Sequence, residues 1–187
     1  MHSNIVSEDN SRIKPVKKLK FKKSRDSIGK FSIEGINLVS EAVRRRIPLD
    51  FILISESAEK DFKIKEMLSG IICDVYVVPD KILDKATDAE HGVKIIAVLP
   101  KSGLVRSNCE IPKNEDNVLV LDRIQDPGNM GTILRAAYAA GYKKIYAIKG
   151  TADVYSSKVL RATAGTIFDL PVVYVDDVRS LLQINDI

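Results

Sequence analysis

Ile13, Val16 and Leu19 recur at three-residue spacing among lysines, which predicts a short amphipathic helix over 11–23 with one apolar edge. Pro15 falls in its first turn, where a missing N–H is tolerated. KFSIEG (30–35) then alternates like a strand, and INLVSEAVRRR places Ile36, Val39 and Val43 on one face of a helix. LDFILIS (49–55) is a continuous apolar run, as expected of a buried strand. SAEKDFKIKEML predicts a helix, CDVYVVP (73–79) a strand, PDKILDKATDA a helix opened by proline, and VKIIAVLP (93–100) a strand closed by proline. This alternation predicts a small α/β domain over 28–100, preceded by a basic segment over 1–27.

The rhythm lapses over 101–116, where KSGLVRSNCEIPKNED carries turn residues and no periodic apolar face, so this stretch is expected to be a linker. It restarts with NVLVLD (117–122), a helix, KKIYAIKG (143–150), SSKVLRATAG (156–165) as a second helix, and PVVYVDD (171–177); VRSLLQIN begins one more helix. Strands joined by helices are expected to lie parallel. Parallel sheets are covered on both faces and usually have more strands, so the domain over 117–187 is expected to be incomplete at its C-terminal side.

Composition narrows the class. Of 187 residues, 45% are apolar and 29% charged, and no apolar run reaches the roughly 18 residues of a membrane span. The opening MHSNIVSEDN lacks the pattern of an export signal, which makes the cytoplasm the expected compartment, with no membrane partner. Cys73 and Cys109 show no metal-ligand spacing; no metal is expected, and Cys73 reads as strand packing. The net charge of +4 is concentrated: Arg12, Lys14, Lys17, Lys18, Lys20, Lys22, Lys23, Arg25 and Lys30 face the single acid Asp26 within their stretch. Such density suits either a solvated face or a surface that contacts nucleic-acid phosphates.

The most informative segment is DPGNMGTILRAAYAAG (126–141). Asp126, Pro127, Gly128 and Asn129 make a turn at the end of a strand, where open α/β sheets place ligands. Asn129 is expected to cap the helix, Gly141 to close it, and Ile133, Ala136, Ala137 and Ala140 to form its slim packing face, leaving Arg135 pointing elsewhere. A dinucleotide fold would need a third glycine after Gly128 and Gly131, and the GxxxxGK phosphate loop is absent. A capped turn with a surface arginine would account for the local pattern equally well.

NMGTILR (129–135), with LDRIQDPG before it and SSKVLRATAGTIFDLPV after, resembles the first motif region of the SpoU-type (TrmH-like) RNA ribose 2′-O-methyltransferases of the SPOUT superfamily. Thr163 stands where relatives carry serine. IVSEDNSRIKPVKKLKFKKSRDSIGKFSIEGINLVSEAV is similar to the start of that family's ribosomal-protein-like substrate-binding domain, and His91-Gly92 stands where relatives often have Gln-Gly; His91 reads as a surface turn residue. The resemblance implies an α/β fold in which the RNA substrate-binding domain precedes a parallel-sheet SPOUT domain of α/β-knot type. It also implies S-adenosylmethionine as cofactor, RNA, ribosomal RNA above all, as substrate, and a homodimer. The family's later motifs, a Gly-x-Glu-x-x-Gly loop and a segment rich in proline, serine and asparagine, form the cofactor-binding knot and do not occur in these 187 residues. The cofactor-binding residues are therefore unknown, and the chain alone is expected to be inactive.

By the same resemblance Arg135 is the central catalytic residue, with Asn129 orienting the loop and Gly131 letting the backbone approach the ribose. Lys158 and Arg161 join Arg12, Lys14, Lys17, Lys18, Lys22, Lys23 and Arg25 as expected RNA contacts. Aromatic residues are only 6% of the chain and no base-stacking platform is evident, so recognition through backbone and shape is expected. A noncatalytic RNA-binding protein without the knot stays open as the alternative.

Overall fold

The structure is a computed structural model that describes residues 2–87, 92–103, 117–179 and 181. The expectations for His91, Cys109 and most of VRSLLQIN fall outside these residues, as does most of the expected linker. The chain divides into two compact units, 1–103 and 104–187.

The first unit contains a five-stranded sheet in the order β1-β4-β3-β5-β2, built from β1 (His2–Asn4), β2 (Lys30–Glu34), β3 (Phe51–Ser55), β4 (Asp74–Val78) and β5 (Ile95–Pro100). β1, β4 and β3 run parallel, whereas β5 is antiparallel to both β3 and β2. Every residue of β3 is buried, which explains its unbroken apolar run: alternate residues feed two cores. Phe51 and Leu53 pack with Ile13, Val16 and Leu19, and with Ile82, Leu83 and Ala86 from α5 (Asp80–Ala86).

The N-terminal stretch is therefore part of this domain and not a separate basic segment. β1, which no sequence pattern announced, pairs with β4, and three apolar side chains of the basic stretch are core. The single helix expected over 11–23 is two, α1 (Ile13–Lys18) and α2 (Lys22–Ile28). Arg25 causes the break. It is only 4% exposed, and its Nη1 donates to the carbonyls of Leu19 and Lys20, both at 2.7 Å, which a continuous helix would use itself. Gly29, with φ +70°, then ends α2 and turns the chain into β2.

Two more helices differ from expectation. In α3 (Ile36–Arg44) the buried residues are Leu38, Val39 and Ala42, with Ile36 and Val43 half-buried at its margins. The helix expected from 57 begins at Phe62, because Asp61 caps it by accepting from the Lys63 N–H at 3.0 Å; the result is α4 (Phe62–Leu68) after a 3-10 turn at Glu56–Ala58. Cys73 is half-buried just before β4, and burial raises its thiol pKa. It lines a cavity of about 630 Å³ with Ile47, Leu49, Ile71 and Ile72.

The second unit contains three parallel strands in sequence order: β6 (Val118–Leu121), β7 (Lys144–Ile148) and β8 (Val172–Val175). Two helices connect them, α6 (Pro127–Ala139) and α7 (Ser157–Thr163). On the sheet, Tyr146 and Ile148 pack with Leu181 and with Val173 and Val175.

Candidate active site

The loops at the carboxyl ends of the three strands of the second unit are tied to one another. Thr151 sits at the centre: its hydroxyl accepts from the Arg123 N–H at 3.0 Å and donates to the Leu121 carbonyl at 3.1 Å. The Ala152 N–H donates to the Ile124 carbonyl at 2.8 Å. From β8, the Tyr174 hydroxyl donates to the Ala152 carbonyl at 2.6 Å and accepts from the Val154 N–H at 2.8 Å. Thr151→Val is expected to strand the Arg123 N–H and lower unfolding free energy by about 1–3 kcal/mol, which denaturant titration would detect; an unchanged midpoint would show that water replaces the threonine.

Arg123 adopts a left-handed backbone, φ +53°, a strained choice for a residue with a side chain and common near functional loops. Its guanidinium grips Asp122 through two hydrogen bonds of 2.8 Å and holds that carboxyl below its usual pKa. Gly150 makes room for it: a Cβ there would lie 3.1 Å from Arg123 Cγ. Arg123, Thr151 and Tyr174 were not among the expected site residues. Arg123 lies inside the quoted LDRIQDPG stretch, but no spacing along the chain brings Thr151 or Tyr174 to it.

α6 starts from this edge. Its cap is Asp126, not Asn129: Asp126 Oδ1 accepts from the Asn129 N–H at 2.7 Å, and Pro127 occupies the first helical position. Asp126 sits one residue before proline in extended backbone, the geometry a cap needs, whereas Asn129 is already helical. Gly141 does close the helix. With φ +81°, it donates to the Tyr138 carbonyl, and the Tyr142 N–H reaches Ala137. The buried face is Met130, Gly131, Leu134 and Ala137; Ala136 and Ala140 are exposed and Ile133 is half-buried.

Gly131 is not an open approach to a ribose. A Cβ built on it would come within 2.3 Å of Ala162 Cβ and 3.0 Å of Ala162 backbone carbon, so glycine here lets α6 and α7 touch. Arg135 lies one turn beyond Gly131, and Lys158 one turn before Ala162, so both cations flank this crossing. Arg135 is exposed and has no ion-pair partner among the described residues. Lys158 is exposed; Arg161 is half-buried and engaged within the fold. Asn129 and Arg135 do not share a helix face. Six residues separate them, which puts the side chains about 120° apart around the axis and about 9 Å apart along it.

The expected basic surface of the first unit is largely neutralised. Glu8 accepts from Lys17 at 2.7 Å and Lys85 at 2.6 Å, and these two ammonium groups pull its pKa down to about 2. That interaction is complete above the ordinary carboxylate range and is lost as pH falls toward 2. Lys14 pairs with Asp9 at 3.1 Å, and Lys22 with Asp26 at 3.3 Å. Arg12 lies 4.0 Å from Asp74 and over the rings of Phe51 and Tyr76. Arg25 is inside the fold, so it is not an RNA contact. Lys18 and Lys23 are exposed with no ion-pair partner among the described residues.

S-adenosylmethionine is poorly matched by what is described. In the second unit no buried side-chain polar atom among the described residues lacks a partner, and the loop atoms at the strand ends bond to each other. These residues do not by themselves build its pocket.

A mixed-sheet domain joined to a parallel α/β domain, with an Asn-x-Gly-x-x-x-Arg helix leaving the carboxyl edge of the second sheet, defines a two-domain α/β protein. The chain belongs to the SpoU rRNA Methylase family, whose model matches residues 116–186, and the MRM3-like substrate binding domain matches residues 10–97. It is similar to the 23S rRNA (guanosine(2553)-2′-O)-methyltransferase RlmP of Bacillus subtilis, 33% identical over 94% of this chain and 69% of that one. The 23S rRNA (uridine(2479)-2′-O)-methyltransferase of Streptomyces viridochromogenes is 32% identical over 81% of this chain and 53% of its own length. Among solved structures, the AdoMet-bound rRNA methyltransferase from Sinorhizobium meliloti superposes with a TM-score of 0.77 at 26% identity, covering 96% of this chain and 67% of that one. The chain thus spans roughly half to two thirds of the length of such relatives.

Proposed function

We propose that this chain is part of an S-adenosylmethionine-dependent RNA methyltransferase that modifies a ribose 2′-hydroxyl of ribosomal RNA. The observation that carries this reading is Arg135, an exposed cation without an ion-pair partner among the described residues, inside the pattern shared with a family of rRNA methylases. When bound, S-adenosylmethionine would supply an electrophilic methyl group. The work left to this chain is to hold the RNA and offset the charge that builds on the ribose oxygen.

A delocalised guanidinium holds its proton too tightly to serve as a general base, so another group removes the hydroxyl proton. A planar guanidinium grips a phosphate through two parallel hydrogen bonds and remains a fixed positive charge beside the forming alkoxide. Lys158, across the helix crossing, adds a second phosphate contact. Asn129, on another face of α6, serves the loop and not the reacting oxygen. The active assembly is a homodimer, as the family resemblance suggests, and its compartment the cytoplasm.

The test is transfer of labelled methyl from S-adenosylmethionine to ribosomal RNA by this chain joined to a segment that supplies the family's cofactor-binding knot, since the chain alone is expected to be inactive. Methylation at a 2′-hydroxyl blocks alkaline cleavage of the next phosphodiester, so the label is expected in alkali-resistant dinucleotides. Label confined to alkali-labile mononucleotides would place the reaction on a base and defeat the assignment.

A further inference from the structure

Phe21 is 67% exposed, although the first unit buries apolar side chains on both faces of its sheet. It occupies the turn between α1 and α2, and that turn is fixed. The Phe21 N–H donates to the Lys18 carbonyl at 3.1 Å, and its own carbonyl accepts from Ser24 and Arg25. The buried Arg25 guanidinium holds the two residues before it through the Leu19 and Lys20 carbonyls. An aromatic ring is therefore presented to solvent on a rigid support, with the entropy of ordering already lost in folding.

Its surroundings are cationic. Lys18 and Lys23 are exposed and unpaired among the described residues, and Lys22 adds a charge shared with Asp26. Lys20 is committed elsewhere, donating to the Thr87 carbonyl at 2.6 Å. Phe62 offers a comparison within the same unit: it is 76% exposed, yet three acids, Glu59, Asp61 and Glu66, lie among Lys60, Lys63 and Lys65 in its stretch of the sequence. Phe21 has lysines at 18, 20, 22 and 23 and no acid between them. A single exposed phenylalanine needs no explanation. One held rigidly beside Lys18 and Lys23, exposed and without an ion-pair partner among the described residues, has the two elements that single-stranded nucleic acid uses, a π-face for a base and cations for the flanking phosphates.

We infer that Phe21 is a stacking platform for an unpaired nucleotide of the RNA substrate, with Lys18 and Lys23 on the adjacent phosphates. This inference rests on the RNA-methyltransferase reading and adds to it a requirement for a bulged or looped-out base on the substrate. It departs from the expectation, drawn from the 6% aromatic content, that recognition runs through backbone and shape alone.

The experiment measures binding of the full chain to a short single-stranded RNA of mixed sequence and to a blunt duplex of that sequence, at several salt concentrations. Phe21→Ala is expected to weaken single-strand binding roughly tenfold, within the range contributed by one stacked base, and to leave duplex binding and the melting temperature unchanged. Lys18→Ala and Lys23→Ala are expected to flatten the salt dependence by about 0.7 in log-log slope each. Phe21→Trp should retain affinity, and because the chain has no tryptophan its indole is a unique reporter, quenched when a base stacks on it. Equal affinity of Phe21→Ala and the unaltered protein, or an unquenched indole in the complex, overturns the platform while leaving the methyltransferase reading intact. Loss of the same size in Phe62→Ala overturns it too, since any exposed ring would then serve. If the unaltered protein binds neither RNA, the RNA-methyltransferase reading itself falls.

Discussion

Gly131→Ala is expected to destabilise the second unit by about 1–3 kcal/mol, and so to lower its melting temperature by several degrees. Intrinsic propensity predicts the opposite sign, because alanine in a helix interior is favoured over glycine by about 1 kcal/mol. Geometry decides. The added methyl would sit 2.3 Å from Ala162 Cβ, far inside contact distance, and 3.0 and 3.1 Å from Ala162 backbone atoms that cannot rotate away. Either α6 and α7 separate, losing packing along their crossing, or both helices shift on the sheet. Combining the change with Ala162→Gly removes the closest clash and should recover part of the loss; full recovery is not expected, because the backbone contacts remain tight. Thermal unfolding of the single and double variants is the check, and a stabilised Gly131→Ala would mean that the helices do not touch here. Since Arg135 and Lys158 flank the same crossing, the single variant should also spread the two cations and weaken RNA binding.

This glycine shows where sequence reasoning reaches and where it stops. The alternation of strands and helices, the parallel order of the last three strands and the ligand edge at 122–126 are carried by local patterns, and local patterns survive folding. The role of Gly131 is not local, because its partner Ala162 lies in another helix and no spacing within NMGTILR reveals it. The same holds for the basic stretch. Read along the chain, Asp26 is its only acid, but folding brings Glu8 to Lys17, where Lys85 shares it, and Asp74 to Arg12. Arg25 looked like one more surface cation and is instead the internal clamp that divides α1 from α2. Charge density in a sequence counts cations; only the fold counts their partners. Asn129 misled for a simpler reason, since two cap-forming residues, Asp126 and Asn129, lie three apart and the proline at 127 fixes which of them starts the helix.

In the chain joined to the family's cofactor-binding knot, Arg135→Ala is expected to lower methyl transfer by roughly two to three orders of magnitude, as removal of one well-placed charge-stabilising donor does elsewhere. The loss should not come from misfolding. Arg135 is exposed, lies off the buried face of α6, and makes no ion pair with any described residue, so the melting temperature should be unchanged. Arg135→Lys separates the two tasks assigned to the side chain. Lysine keeps the positive charge but cannot form the parallel pair of hydrogen bonds to a phosphate, so it should recover part of the rate and little of the RNA affinity. If Arg135 only anchors the backbone, Arg135→Ala will raise KM and leave kcat nearly intact, because binding ground and transition states equally does not speed chemistry. If it also offsets charge on the ribose oxygen, kcat falls as well, and that is the expected pattern. Asn129→Ala supplies the contrast: its side chain points about 120° away around the helix, so a loss equal to that of Arg135→Ala would show that the two residues act at one point after all.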